Sequence, residues 1–166
     1  VGYLSTNSDP FGDETVFHLL PKKFANLKIA GRLDKNSQGL MILSSNGELI
    51  NKLTHPKFEH IKTYEVAVKG ELNEDHLEVL KSGKMKLDDY ILNPMNYEIY
   101  KHDSGKTWIR LKLSEGRKRQ IRRVMDYLGF PVLYLCRTAI GKLELGNLER
   151  GKFIELTPEQ IQLALS

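Results

Sequence analysis

The sequence predicts a mixed α+β fold around a largely antiparallel sheet. Strand-like alternation of apolar residues recurs along the chain, helix-like segments interrupt it irregularly, and short turn signals predict hairpins. At 166 residues the chain is long enough for one domain, or for two small lobes that share a core. Its longest apolar runs fall well short of the roughly 20 residues that cross a bilayer.

The first part of the chain predicts short strands on either side of one polar loop. Proline ends a predicted short helix at Pro21, and Asn46 is a typical N-cap for the next helix. Strands are predicted at residues 1–6, 27–30 and 40–43, a turn-rich loop at 6–13, and helices at 15–20 and 47–54.

The second part predicts longer strands and three helices. Asn73 and Thr157 are predicted N-caps, and Gln160 completes a capping box with Thr157. Strands are predicted at residues 62–69, 95–101, 106–113, 132–138, 143–145 and 151–156, and helices at 73–83, 117–128 and from 158 onwards.

The polar loop, residues 31–40, presents one carboxylate between two apolar runs. Gly31 and Gly39 permit positive φ or a close approach, and Arg32 and Lys35 flank Asp34. Cations within reach would keep that carboxylate ionised. A polar turn in which the aspartate is only a cap explains the same residues, and this stretch alone favours that simpler interpretation.

The other informative stretch, residues 114–123, carries five cations within seven residues. If a helix begins at Arg117, then Arg119 and Arg123 point away from its apolar face, whereas Arg122 lies at the border of that face beside Lys118. The outward arginines suit phosphate contacts, and a half-buried arginine needs a carboxylate. A plain solvated helix face is the alternative, but the cluster favours nucleic acid.

Charge and cysteine content narrow the classes of partner and compartment. The net charge of +4 is uneven, because residues 1–100 hold 12 Lys/Arg and 14 Asp/Glu whereas residues 101–166 hold 13 and 7. A basic half suggests a polyanionic partner. Cys136 is the single cysteine and lies in an apolar segment, which favours the cytoplasm and a buried, inert thiol. The five histidines lack metal-ligand spacing, so no metal is expected.

Four motifs in register resemble the RsuA-type pseudouridine synthases, a family that includes RluB, RluE and RluF and acts mainly on ribosomal RNA. One such motif would be weak evidence, whereas four in the expected order over nearly the whole chain are highly specific. They are residues 2–6 with Asp9, Pro10 and 15–17; residues 31–34 with Ser37, Gly39 and Leu40; His55 and Pro56 with 62–64; and residues 115–123 with Gly129, Pro131, Val132, Arg137, Ile140 and Gly141.

The resemblance implies a mixed, mainly antiparallel sheet flanked by helices, with a central RNA cleft and no cofactor or metal. It implies that Asp34 is the essential catalytic aspartate, that Tyr64 stacks on the target uracil and that Arg122 pairs with the aspartate. Periodicity alone leaves Tyr64 open as a core aromatic. Further RNA or pocket contacts are expected from Arg32, Leu40, Arg117, Lys118, Arg119, Ile121 and Arg123.

The implied reaction detaches uracil from its ribose, rotates it and rejoins it through carbon. Asp34 would act as a nucleophile or as a base. Residues 1–166 would form the catalytic domain of a cytoplasmic monomer that binds RNA but neither DNA nor membranes, with a small RNA-binding domain preceding Val1. The expected target is a uridine of the large-subunit rRNA. Alternatives are a small-subunit rRNA or tRNA synthase, a non-catalytic RNA-binding relative, and an enzyme that releases the free base.

Overall fold

The structure is a computed structural model that describes residues 1–6 and 11–166. The described chain forms two compact units, one of Val1–His60 with Thr138–Ser166 and the other of Ile61–Arg137. Within the described residues at least five strand pairs are antiparallel, and helices are interspersed among the strands, so the predicted mixed α+β class is confirmed. None of the helices in the described ranges is long and apolar enough to cross a membrane.

The elements follow one another in chain order with short connections. Short 3₁₀ helices occur at Val16–Leu19, Lys22–Phe24 and Pro56–Phe58. The α-helices are α1 (Gly47–Thr54), α2 (Glu74–Lys81), α3 (Gln120–Tyr127) and α4 (Pro158–Ala164). The strands are β1 (Lys28–Ala30), β2 (Gln38–Gly39), β3 (Ile42–Ser44), β4 (Lys62–Lys69), β5 (Lys86–Leu87), β6 (Tyr90–Ile91), β7 (Asn96–Asp103), β8 (Lys106–Leu113), β9 (Val132–Ile140) and β10 (Leu143–Glu144).

The first unit packs α1 and α4 around short strands. Strand β1 pairs antiparallel with β3, and α1 contacts both. Asn46 caps α1 by accepting hydrogen bonds from the amides of Glu48 and Leu49, as its sequence position predicted. The apolar core of this unit contains Ala30, Leu40, Ile42, Leu53, Ile140, Leu143 and Ala164.

Helix α4 docks on the tight turn that joins β9 to β10. The amide of Lys142 donates to the carbonyl of Leu163 at 2.7 Å. Gly141 has φ of +56°, and a Cβ there would lie 2.7 Å from the carbonyl oxygens of Leu163, Ala164 and Ser166. Residues 163–166 therefore pack directly against Gly141, where a side chain would not fit.

The second unit is a sheet with the strand order β9–β4–β8–β7, together with the small β5–β6 hairpin. Strands β4 and β8 pair over their full length, from Lys62 opposite Leu113 to Lys69 opposite Lys106. Strand β7 follows β8 with a register shift between Ile99 and Lys101. Helix α2 contacts β7.

Four predicted elements differ from the structure. The strand predicted at 40–43 begins only at Ile42, as β3. Residues 1–6 are not a regular strand, because only Leu4 forms an isolated parallel bridge, to Thr15. Residues 151–156 lie outside any strand, since alternation makes a strand only where a neighbouring strand supplies hydrogen bonds. The helix expected from Arg117 begins at Gln120. The predicted contribution of Asp9 and Pro10 to the first motif falls outside the described residues.

Candidate active site

Asp34 lies on the predicted loop between β1 and the β2–β3 segment. Two glycines near its ends have positive φ, Gly31 directly after β1 at +87° and Gly39 within β2 at +117°, as the sequence predicted. Within it the amide of Ser37 donates to the carbonyl of Asp34 at 2.8 Å, which forms a tight turn. Asp34 is half-buried. The turn and the two glycines constrain the backbone that carries its carboxylate.

The N-terminal segment holds the backbone that leads into Asp34. The hydroxyl of Ser5 donates to the carbonyl of Leu33 at 2.8 Å and accepts from the amide of Leu33 at 3.1 Å. The amide of Gly2 donates to the carbonyl of Lys35 at 2.7 Å. Sequence reasoning placed Ser5 in the first motif without giving it a role, although its position there was the available signal.

The two cations beside Asp34 have different surroundings. Lys35 forms an ion pair with Asp13 at 2.6 Å, so it has a carboxylate partner of its own. Arg32 is exposed and lines an open depression of about 340 Å³ together with Ser5, Thr6, Lys28 and Ile29. A cation that lines a depression beside the Asp34 loop suits an anionic ligand.

Two of the predicted pocket residues are buried apolar side chains. Leu40 is 7% exposed and belongs to the core of the first unit. Ile121, in α3 of the second unit, is 5% exposed. Both positions are apolar and buried, as the walls of ligand pockets usually are.

Tyr64 belongs to the buried face of β4 in the second unit. It lies opposite Leu111 of β8 and is 9% exposed, and Val66 and Val68 on the same face are fully buried. This placement agrees with the alternative that Tyr64 is a core aromatic. An aromatic ring that is locked by a strand is also a pre-organised stacking surface, so the structure is compatible with either role.

Two further cations of the second unit were quoted in the motifs but given no role. Arg137 is 2% exposed, and Lys62 opens the strand that carries Tyr64. Burial, followed by the charge of Arg137, lowers the pKa of Lys62 below its usual value. A buried arginine whose charge lowers the pKa of a neighbouring lysine marks a candidate functional position, because desolvated charge is costly to keep.

The basic segment before α3, residues 115–119, is held in place by one carboxylate, that of Glu115. Its side chain is 13% exposed, accepts from the amide of Asn93 and the side-chain amide of Gln120, and lies 3.3 Å from Nε of Arg117. Arg117, Lys118 and Arg119 are exposed, as an RNA-binding role requires. However, Arg119 is the N-cap of α3 with φ of +53°, so a helical projection does not give its direction.

Helix α3 separates the next two arginines onto different faces. Arg122 was expected at the border of the apolar stripe, but it is 7% exposed and donates to the carbonyl of Val132 at 3.4 Å. Arg123 points outward as predicted, yet its guanidinium lies 2.5 Å from the carboxylate of Asp88. The outward direction of Arg123 was predictable from the helical projection, whereas its partner Asp88 was not.

Of the predicted site residues, Asp34, Arg32 and Leu40 lie in the first unit, whereas Tyr64, Arg122, Ile121 and the basic segment lie in the second. Over residues 1–6 and 11–166 no group of three or more His, Cys, Asp or Glu side chains could hold a metal ion. Cys136 is buried in β9, as predicted for an inert thiol. The available chemistry is that of one carboxylate, an aromatic ring and arginines.

Comparisons with known proteins identify the family. The family model described as RNA pseudouridylate synthase matches residues 10–127, which include Asp34, Tyr64 and Arg122. The ribosomal large subunit pseudouridine synthase E of Vibrio parahaemolyticus is 36% identical over 92% of this chain and 69% of its own length. The ribosomal large subunit pseudouridine synthase B of Yersinia pestis is 36% identical over 93% of this chain and 49% of its own length.

A solved structure agrees with the sequence comparisons. A crystal structure of a pseudouridylate synthase superposes with a TM-score of 0.89 and 29% identity, covering 98% of this chain and 69% of that one. The archaeal box H/ACA Nop10–Cbf5 complex, at 18% identity and a TM-score of 0.53, shares the fold. The resemblance to RsuA-type synthases is thereby confirmed, and the chain belongs to the RNA pseudouridylate synthase family.

Proposed function

We propose that this protein converts a specific uridine of the large-subunit ribosomal RNA to pseudouridine. The observation that carries the proposal is the placement of Asp34 on a glycine-bounded, serine-clamped loop within the region that the family model matches. The large-subunit target is supported by the names of relatives from two Vibrio species and from Yersinia pestis.

Asp34 is the proposed reacting group, either as the nucleophile at the sugar or base or as the base that removes a proton. One carboxylate suffices because the uracil leaves as a stabilised anion and is recaptured by the same enzyme, whereas glycoside hydrolysis generally needs two. Arg122 is the proposed cation that keeps Asp34 ionised, an effect that grows when water is excluded. Buried in α3, Arg122 is already removed from bulk solvent.

Tyr64 is the proposed stacking platform for the flipped uracil. Base stacking on an aromatic ring contributes about 1–3 kcal/mol, and the Tyr64 hydroxyl could also relay the proton that carbon 5 loses. Arg32 is proposed to occupy the space that the flipped uridine leaves. Phosphate contacts are assigned to Arg117, Lys118, Arg119 and Arg123.

Pseudouridine mapping by a reagent that modifies pseudouridine selectively tests this function, because uridine and pseudouridine have the same mass. Total ribosomal RNA from a deletion strain should lack one pseudouridine that the parent strain has, and the purified protein should restore it on the unmodified RNA. Loss of a pseudouridine from the small-subunit rRNA or from a tRNA would change the assigned target but would still support pseudouridine synthase activity. An unchanged map together with an inactive purified protein would contradict the proposed activity.

We also place the enzyme in the cytoplasm as a monomer that binds RNA and not DNA. The buried single cysteine and the basic second half of the chain support this placement. Equilibrium sedimentation of the purified protein, with and without a matched RNA or DNA oligonucleotide, tests both the oligomeric state and the preference for RNA.

A further inference from the structure

The β5–β6 hairpin presents the aromatic ring of Tyr90 beside the basic segment. Tyr90 follows the two-residue turn Asp88–Asp89 and is 53% exposed, and its neighbour Ile91 is 66% exposed. Half-exposed side chains of this size contribute little to the core of so small a hairpin. Both side chains are therefore accessible to a ligand.

The ring of Tyr90 is held by a cation from the basic segment. The guanidinium carbon of Arg117 lies 3.8 Å from the ring centroid, a close cation–π contact. Nε of Arg117 lies 3.3 Å from Glu115, whose carboxylate is fixed by Asn93 and Gln120. Arg117 is therefore restrained by two groups, and it presents Tyr90 in a defined orientation.

The hairpin is tied to the same surface at a second point. The carboxylate of Asp88 forms an ion pair with Arg123 of α3, which lowers the pKa of Asp88 and raises that of Arg123. Lys118 and Arg119 are exposed in the segment between these two attachments. The aromatic ring thus stands next to several cations and is anchored on the second unit.

We propose that Tyr90, backed by Arg117, is a stacking site for an unpaired base of the RNA substrate that is not the reacting uridine. Nucleobases stack on aromatic rings and on arginine planes whatever their identity, and adjacent cations hold the phosphates that connect them. The site recognises a substrate with an unpaired nucleotide outside the target, and it rests on the proposed RNA function. A protein partner would not require flanking cations and is an outcome of the test below.

The test uses the RNA fragment that the mapping experiment identifies, prepared with each nucleotide flanking the target replaced in turn by an abasic residue. Dissociation constants are measured for the wild type, Tyr90→Leu and Tyr90→Phe. Tyr127→Leu is the matched control, because Tyr127 is 75% exposed on α3 and has no role in the proposal. Thermal unfolding of each variant verifies that the hairpin change leaves the protein folded.

The intact fragment should bind Tyr90→Leu roughly 5- to 150-fold more weakly, because the stacking energy of one base is lost. Tyr90→Phe and Tyr127→Leu should bind like the wild type. The salt slope of Tyr90→Leu should be unchanged, because stacking releases no counterion. One abasic position should weaken the wild type by a similar factor and leave Tyr90→Leu unaffected, which identifies the stacked base.

Each contrary result has a distinct meaning. If the wild type modifies and binds its RNA but Tyr90→Leu binds equally well, or if every abasic position affects both proteins alike, then Tyr90 is not a base-stacking site and serves another partner. If the wild type neither binds nor modifies any ribosomal RNA, the proposed function itself fails, and this site fails with it.

Discussion

The hydroxyl of Ser5 holds the backbone immediately before Asp34. It both donates to and accepts from Leu33. We expect Ser5→Ala to lower the free energy of unfolding by about 1–2 kcal/mol, because two backbone groups lose their partner. The rate at saturating RNA should fall more than binding does, because Asp34 loses its position.

Single-turnover kinetics and thermal unfolding check this expectation, with Ser45→Ala as the control because Ser45 is exposed on the connection between β3 and α1. Ser5→Thr, which keeps a hydroxyl, should restore much of the rate. A Ser5→Ala enzyme that reacts as fast as the Ser45→Ala enzyme would show that the loop does not need the clamp.

Tyr64 presents a choice between a stacking role and a core role. If it stacks on uracil, Tyr64→Phe keeps RNA binding and loses only the rate that depends on the hydroxyl, whereas Tyr64→Leu loses both. Binding constants and single-turnover rates of the two variants decide the matter. Equal, near-normal behaviour of both variants would assign Tyr64 to the core, as its 9% exposure also allows.

At the scale of single residues, the sequence predicted which residues matter better than it predicted their ion-pair partners. The glycine-bounded loop of Asp34 was predictable, because Gly31 and Gly39 limit where the backbone turns. The Asp13 partner of Lys35 and the Glu115 partner of Arg117 were not, because both depend on tertiary contacts that local spacing does not contain.

The docking of α4 depends on the absence of a side chain at Gly141. The carbonyl oxygens around Gly141 leave no room for a Cβ, and its φ of +56° disfavours any side chain. We expect Gly141→Ala to lower the free energy of unfolding by about 2–4 kcal/mol through strain and undocking of α4. Gly105→Ala is the control, because it also changes a positive-φ glycine but its Cβ would meet open space. In urea unfolding it should lower the free energy of unfolding by less than Gly141→Ala does. An equal loss would contradict the crowding argument.

The ion pair between the β5–β6 hairpin and α3 predicts that removing an acidic residue strengthens RNA binding. Arg123 lowers the pKa of Asp88, so the carboxylate is ionised at neutral pH and competes with phosphate for the guanidinium. Asp88→Asn should therefore raise RNA affinity and increase the magnitude of the salt slope by roughly one, because one more cation is available to phosphate.

Asp89→Asn is the matched control, because Asp89 is exposed in the same turn and its loss changes the net charge equally. Salt-dependent affinities of both variants, and of Asp88→Asn combined with Arg123→Ala, decide the matter. If Asp89→Asn has the same effect as Asp88→Asn, the gain is a general charge effect and Arg123 does not bind phosphate.

Among the helices and strands, features that local sequence determines were predicted correctly, and features that depend on tertiary contacts were not. The caps of α1, α2 and α4 were predictable because Asn46, Asn73 and Thr157 act within one turn. The start of α3 was misplaced because arginine and lysine favour helix, whereas Glu115 and Gln120 hold residues 115–119 in another conformation.

For the whole molecule, the uneven charge predicts which variants separate binding from chemistry. Arg119→Ala should weaken RNA binding and reduce the salt slope by roughly one, with a smaller effect on the saturated rate. Arg122→Ala should retain binding and lose the rate, because Asp34 would lack its proposed cation. Salt titrations and single-turnover rates test both variants, and a changed salt slope with an intact rate in Arg122→Ala would make Arg122 an ordinary RNA contact.

The family and the mixed α+β class could be predicted because four motifs spread over the whole chain agree with one fold. The division into Val1–His60 with Thr138–Ser166 and Ile61–Arg137 is less evident in the sequence. No linker or change of composition marks it, since the chain leaves the first unit after His60 and returns within a continuous strand, β9.

The central claim is that Asp34 performs the chemistry and is not required for folding. The most direct measurement compares wild type and Asp34→Asn for pseudouridine formation under single-turnover conditions, with thermal unfolding of the same samples. We predict a loss of several orders of magnitude in rate with a small change in stability, because the carboxylate is half-buried on a loop whose shape depends on backbone hydrogen bonds. A rate within tenfold of the wild type would contradict the assignment.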